Sequence, residues 1–174
     1  MRKLLALCLA ILGGGLSAGE VVIAENGKAM ADIVIPSEPS AYVKFAAEEL
    51  KLYLDRMTGG NFSITSQPTA EVKIRLGQSP EAEAAGLKPE TLKRDGFFIS
   101  AKGNEIFIVG ADNQSAKNVS LFHLFYDETR RATLLGVYEF LEQLGVRWPA
   151  PGPAHEFVPK TATLKVPEGT RKVE

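Results

Sequence analysis

Gly96-Phe97-Phe98-Ile99-Ser100-Ala101-Lys102-Gly103-Asn104-Glu105-Ile106-Phe107-Ile108-Val109-Gly110 is the stretch on which the fold turns. Its arms, Phe97 to Ala101 and Glu105 to Val109, flank a three-residue connection, Lys102-Gly103-Asn104, with the glycine that such hairpins prefer. A strand pair with one wet face alternates apolar and polar side chains, whereas these arms are apolar on both faces. They predict a hairpin at the centre of a sheet, covered on one side by helices.

Two helices flank the hairpin in sequence. Residues 41–57 place Val43, Ala46, Ala47, Leu50, Leu54 and Met57 at spacings of three and four, with charged residues largely between them. Ser37 and Ser40 are candidate N-caps, and Gly59-Gly60 stops the helix. On the other side, residues 113–129 form an irregular insertion carrying Phe122, Phe125 and Tyr126. A second helix then starts at Arg130 or Arg131. Leu134, Val137, Tyr138, Leu141 and Leu144 are its apolar stripe, and Gly145 ends it.

The remaining signals are shorter. Residues 20–25 and 31–35 are β-branched runs around the turn Asn26-Gly27 and predict a first strand pair. Residues 62–66 and 72–76 predict two more strands. The second alternates, with Val72, Ile74 and Leu76 on one face and Lys73 and Arg75 on the other. A short helix is expected at 81–85. Residues 159–174 read as an edge strand, Thr163 to Val166, followed by a linker at 170–174.

Composition narrows the chemistry. The 174 residues hold 20 Lys plus Arg against 21 Asp plus Glu, a net charge of −1. That excludes a nucleic-acid binder working through bulk positive charge. The single cysteine excludes an intrachain disulfide and a four-cysteine zinc site. The two histidines form no His-Glu-x-x-His pattern, and there is no Gly-x-Ser-x-Gly elbow or glycine-rich phosphate loop. Paired carboxylates for glycoside hydrolysis stay open among 21 acids, most of them on the wet faces of the expected helices, and no cofactor or metal is expected. His123 and His155 read as packing or surface residues.

The N-terminus has its own logic. Met1-Arg2-Lys3, an apolar run from Leu4 to Leu16, and the small residues Ser17-Ala18-Gly19 follow the pattern of a secretory signal peptide. Residues 1–19 are therefore expected to be removed, leaving a domain at 20–158 and the tail at 159–174. The product is expected to be periplasmic or extracellular, with no membrane attachment after removal. Cys8 leaves with the signal, and the sequons at Asn61 and Asn118 are treated as chance matches.

Three residues stand out as substrate or domain-interface candidates. Asp112 follows the strand ending at Gly110, where loops gather around ligands, although turn capping explains an aspartate equally well. Arg147 and Trp148 lie between a helix stop and Pro149-Ala150-Pro151-Gly152-Pro153. Tryptophan beside arginine suits a core plug, a domain interface or a sugar contact.

Four motifs in this order resemble a known family: Ala46-Ala47-Glu48-Glu49-Leu50 with Tyr53-Leu54 and Met57-Thr58-Gly59-Gly60; Asp95-Gly96-Phe97-Phe98-Ile99; Ile106-Phe107-Ile108-Val109-Gly110-Ala111-Asp112; and Ala132-Thr133-Leu134-Leu135-Gly136-Val137-Tyr138-Glu139-Phe140-Leu141-Glu142 running on to Leu144-Gly145-Val146-Arg147-Trp148. The pattern resembles the N-terminal domain of α-glucuronidases and related bacterial proteins with a DUF4838 region. The second domain of β-N-acetylhexosaminidases is similar in architecture. The resemblance implies an α+β fold in two layers, a mixed β-sheet with two main helices packed on one face. It also implies a non-catalytic accessory domain preceding a catalytic barrel, in an exported protein acting on polysaccharide or oligosaccharide. A free-standing carbohydrate-binding or protein-interaction module is the alternative.

Overall fold

The computed structural model describes residues 19–119 and 130–174. Residues 1–18 of the expected signal segment at 1–19, and residues 120–129 of the insertion with His123, lie outside them. The strands are β1 (Glu20–Glu25), β2 (Lys28–Ala29), β3 (Ala31–Val34), β4 (Ser63–Thr65), β5 (Val72–Leu76), β6 (Phe97–Lys102), β7 (Glu105–Gly110), β8 (Leu164–Pro167) and β9 (Gly169–Val173). The helices are α1 (Ala41–Thr58), between β3 and β4, α2 (Pro80–Ala84), between β5 and β6, and α3 (Ala132–Gln143), between β7 and β8.

Six strands form the main sheet in the order β4-β3-β5-β7-β6-β9. β4, β3, β5 and β7 are parallel, while β6 runs antiparallel to both β7 and β9. Ile33, Ile74 and Ile106 stand in one register across three strands and are fully buried. α1 and α3 bury their apolar stripes on this face, as the helical spacing requires. The hairpin is as expected, with Phe97 opposite Gly110, and β7 is central. Its apolar second face has a separate cover. Phe107, Val109 and Phe98 meet Ala82 of α2 and Leu87, so short α2 shields side chains each worth about 1.5–3 kcal/mol when buried.

Helix ends follow the caps in the sequence. Ser40 Oγ accepts the Val43 amide at 3.3 Å, and Gly59 closes α1. α3 sits directly on the hairpin, and Gly136 allows it. A Cβ there would lie 2.8 Å from Ile108 Cγ2 and 3.2 Å from the Phe97 ring. A glycine inside a helix costs about 1 kcal/mol against alanine, and here the close approach offsets it.

Two strand expectations change. Residues 20–25 do not pair with 31–34. β1 pairs with β2 and β8 in a three-stranded sheet of order β2-β1-β8, while β3 enters the main sheet. All four residues of β3 are buried, which suits an inner strand of a parallel sheet rather than a hairpin arm. The edge strand expected near 163–166 is β8, at the edge of that smaller sheet. Residues 170–174, read as a linker, belong instead largely to β9, with Val173 opposite Phe97. Thr170, Arg171 and Lys172 are exposed, so backbone pairing rather than apolar burial makes this strand, and its charges suit a sheet edge.

Candidate functional site

Trp148 stands at the trailing end of α3, half-buried against α1. Its ring meets Tyr53 edge-on at a centroid distance of 5.2 Å and Tyr138 at 5.4 Å. Its Nε1–H donates to the Tyr53 hydroxyl at 2.8 Å. That hydroxyl donates to Glu156 Oε1 at 3.1 Å, and Arg56 donates to Glu156 Oε2 at 2.5 Å. Tyr138 donates to Glu49 Oε2 at 2.9 Å. Aromatic edges and hydrogen bonds thus tie α1, α3 and the proline loop into one cluster.

The electrostatics favour a fixed scaffold. Burial, reinforced by the nearby carboxylates, pushes the Tyr53 and Tyr138 hydroxyls above the ordinary tyrosine range, so both stay protonated and donate. The Arg56 guanidinium, with help from Tyr53, holds the Glu156 carboxyl below its ordinary range. A carboxyl held ionised is poorly suited to be a general acid, which needs a raised pKa.

Arg147 is exposed beside Trp148, with its guanidinium turned back on the helix. It donates to the carbonyls of Glu142 at 2.5 Å and Val146 at 2.7 Å. Its backbone pairs with Phe157, which pins the start of the proline loop to its end. Asp112 lies at the opposite end of α3, about 18 Å away by helix length, and the fold does not bring it to Trp148. Asp112 Oδ1 accepts the Thr133 amide at 3.0 Å, and Oδ2 accepts the Thr133 hydroxyl at 2.5 Å. Thr133 Oγ1 in turn accepts the Gly110 amide at 3.0 Å. Arg131 at the N-cap makes no side-chain cap bond, so Asp112 caps α3 from the neighbouring strand end. Burial raises its pKa to about 6 against the hydrogen bonds from Thr133.

The sequence reading missed Glu49, Tyr53, Arg56 and Glu156. Glu49, Tyr53 and Arg56 fall on adjoining helical positions, a detectable spacing, but their partners are distant in sequence. His155 is exposed in the proline loop. Among the described residues, no group of three His, Cys, Asp or Glu could hold a metal ion, and no helix is long and apolar enough to cross a membrane.

The structure is similar to a family GH115 4-O-methyl-α-glucuronidase, BtGH115A, with specificity for decorated arabinogalactans. The TM-score is 0.62 at 18% identity, covering 87% of this chain and 18% of that one. It is also similar to the GH20 β-N-acetylhexosaminidase of Streptomyces coelicolor A3(2), with TM-score 0.50 at 15% identity, covering 90% of this chain and 24% of that one. The chain therefore spans a quarter or less of either enzyme. No individual curated protein gives a significant sequence match. The family model for the glycosyl hydrolase family 67 N-terminus matches residues 21–117, more than half of the chain, which belongs to that family.

Proposed function

We propose that this chain is the non-catalytic N-terminal domain of an exported glycoside hydrolase of the α-glucuronidase or hexosaminidase-like type, and that it buttresses a catalytic barrel. The observation that carries this is the outward face of α1 and α3. Phe45, Glu49, Leu52 and Arg56 form one stripe along α1. Leu52 is 47% exposed, and Phe45, Leu135, Tyr138 and Trp148 are half-buried on the same two helices and the turn after α3. An aromatic-rich patch with a polar rim is the composition of an interface core. The tyrosines and Trp148 are already held by hydrogen bonds, so docking would cost little side-chain entropy.

The occupant is the catalytic barrel. The similar enzymes are several times longer than this chain, and the matched family is the N-terminus of a glycoside hydrolase. Trp148, Arg147 and the proline loop form one margin of the interface. In this reading Asp112 serves as the cap of α3. The apolar run at 4–16 supports export.

The test is the intact mass of the native exported protein, followed by Leu52→Glu and Trp148→Ala in it. The expected mass is far above that of 174 residues. A mass at or below it would overturn the proposal in favour of a free-standing module. In the long protein, Leu52→Glu should separate the unfolding of this domain from that of the barrel and expose the connection to protease. Unchanged, single-step unfolding in both variants would remove this face as the interface.

A further inference from the structure

The parallel part of the main sheet holds a second feature, independent of the docking face. At the C-terminal end of β3 the chain leaves for α1, on the face of Ile33 and Ile74. At the C-terminal end of β5 it leaves for α2, on the face of Phe107 and Val109. Adjacent parallel strands whose connections depart to opposite faces leave a crevice between their ends, the place where open sheets of this kind bind ligands. Gly77 makes the departure after β5. Its φ is +79°, and its amide donates to the Ile108 carbonyl at 3.0 Å.

A cleft of about 340 Å³ lies at this point, between Ile35-Pro36-Ser37, Ser66-Gln67 and Gln78-Ser79-Pro80. That volume sits at the small end of the ligand range of about 300–1,000 Å³. Ser37, Ser66, Gln67, Gln78 and Ser79 give it uncharged hydrogen-bonding groups. Among the described residues, the side chains of Ser37, Ser66 and Gln67 make no hydrogen bond within the protein, and Gln78 is tied only through its carbonyl, by Gln114 at 3.2 Å. The prolines add two flat C–H surfaces.

Two charged residues, Arg75 and the half-exposed Glu81, also line the cleft and decide what enters. Arg75, with its side chain 15% exposed, is held by Glu105 at 2.6 Å and faces Glu81 at 3.5 Å. Two carboxylates against one guanidinium leave a local excess of negative charge, while the guanidinium keeps N–H donors to spare. Glu81 stays ionised: a hydrogen bond from its own backbone amide, with help from Ser79 and Arg75, holds it below the ordinary range. An anion is repelled there. A neutral ligand that both donates and accepts is not.

We infer that this cleft is a binding site for a neutral, hydroxyl-rich ligand of mono- or disaccharide size. Gln67 and Gln78 span its hydroxyls, Ser37 and Ser66 exchange hydrogen bonds with it, and Pro36 and Pro80 pack against its C–H face. Among the described residues no aromatic platform lines the cleft, so binding is weak, in the millimolar range.

The test is amide chemical-shift mapping on the isotope-labelled protein, with cellobiose and β-1,3-galactobiose as neutral probes and glucuronate as the charged one. A neutral probe should shift amides around residues 35–37, 66–67 and 77–79 in a saturable way. Ser66→Ala with Gln67→Ala should weaken it about tenfold, the scale of one or two lost hydrogen bonds. Trp148→Ala should leave it unchanged, so failure here is separate from failure of the docking face. The inference is overturned if neither neutral probe shifts these amides, if the shifts gather around Trp148, or if glucuronate binds as well as the neutral sugars.

Discussion

The two ends of α3 do the same job with opposite charges. At the N-terminus Asp112 accepts from Thr133; at the C-terminus Arg147 donates to the carbonyls of Glu142 and Val146. Each places its charge where the helix dipole favours it. Burial separates them. Asp112 is 7% exposed and Arg147 lies in solvent. The buried cap gains strong hydrogen bonds but carries the desolvation of a carboxylate. The exposed cap avoids that penalty and gains less, because water competes for the same carbonyls.

The largest effect expected from this contrast is a pH dependence at the buried end. The Asp112 pKa rises from 3.8 to about 6 in the fold. The native state then holds the proton more tightly than the unfolded chain. The contribution of Asp112 to stability is therefore full below pH 3.8 and is lost as pH rises through about 6. The gap is about 3 kcal/mol. Asp112→Asn keeps an acceptor and removes the charge, so it should gain on the wild type across that interval. Urea unfolding of both proteins from about pH 4 to about pH 8 would measure the difference, and a flat difference would refute the account.

Next comes Thr133→Val, which removes the hydroxyl shared by Asp112 and the Gly110 amide. It should cost about 2 kcal/mol, because a buried N–H loses its acceptor. Thermal unfolding reads this directly, and a loss under about 0.5 kcal/mol would mean that the Gly110 amide finds another partner. The smallest effect belongs to the exposed end. Arg147→Ala should cost less than about 1 kcal/mol, and the loss should shrink in high salt. A loss as large as that of Thr133→Val would show that Arg147 holds the proline loop as well as the helix end.

A second pair of regions sharpens the functional reading. The outward face of α1 and α3 carries the half-buried Phe45, Tyr138 and Trp148, with Tyr138 and Trp148 held in place by hydrogen bonds to Glu49 and to buried Tyr53. The cleft between β3 and β5 is lined by side chains still open to a ligand. Surfaces of the first kind suit a protein partner, and those of the second a small polar molecule.

Local signals carried much of the fold. The hairpin at 96–110, both long helices and the caps at Ser40 and Gly59 follow from periodicity and turn chemistry within a few neighbouring residues. The pairing of β1 did not, because two β-branched runs around an Asn-Gly turn fit a hairpin equally well. Only the four-way burial of β3 moves it into the other sheet. β9 was also hidden, since an edge strand held by backbone pairing leaves no apolar trace.

The sites divide in the same way. Trp148, Arg147 and Asp112 were visible as unusual residues in unusual places, because residue type and local position are written in the chain. Their partners were not. Glu156 reaches Tyr53 and Arg56 across a hundred residues, and Ser66 and Gln78 line one cleft only because β3 lies between β4 and β5. The sequence alone determined the elements, the family resemblance and the residues worth watching. Tertiary structure decided the strand order, the cluster around Trp148, the capping role of Asp112 and the cleft. These depend on contacts between distant segments, whose energies appear only when the chain closes on itself.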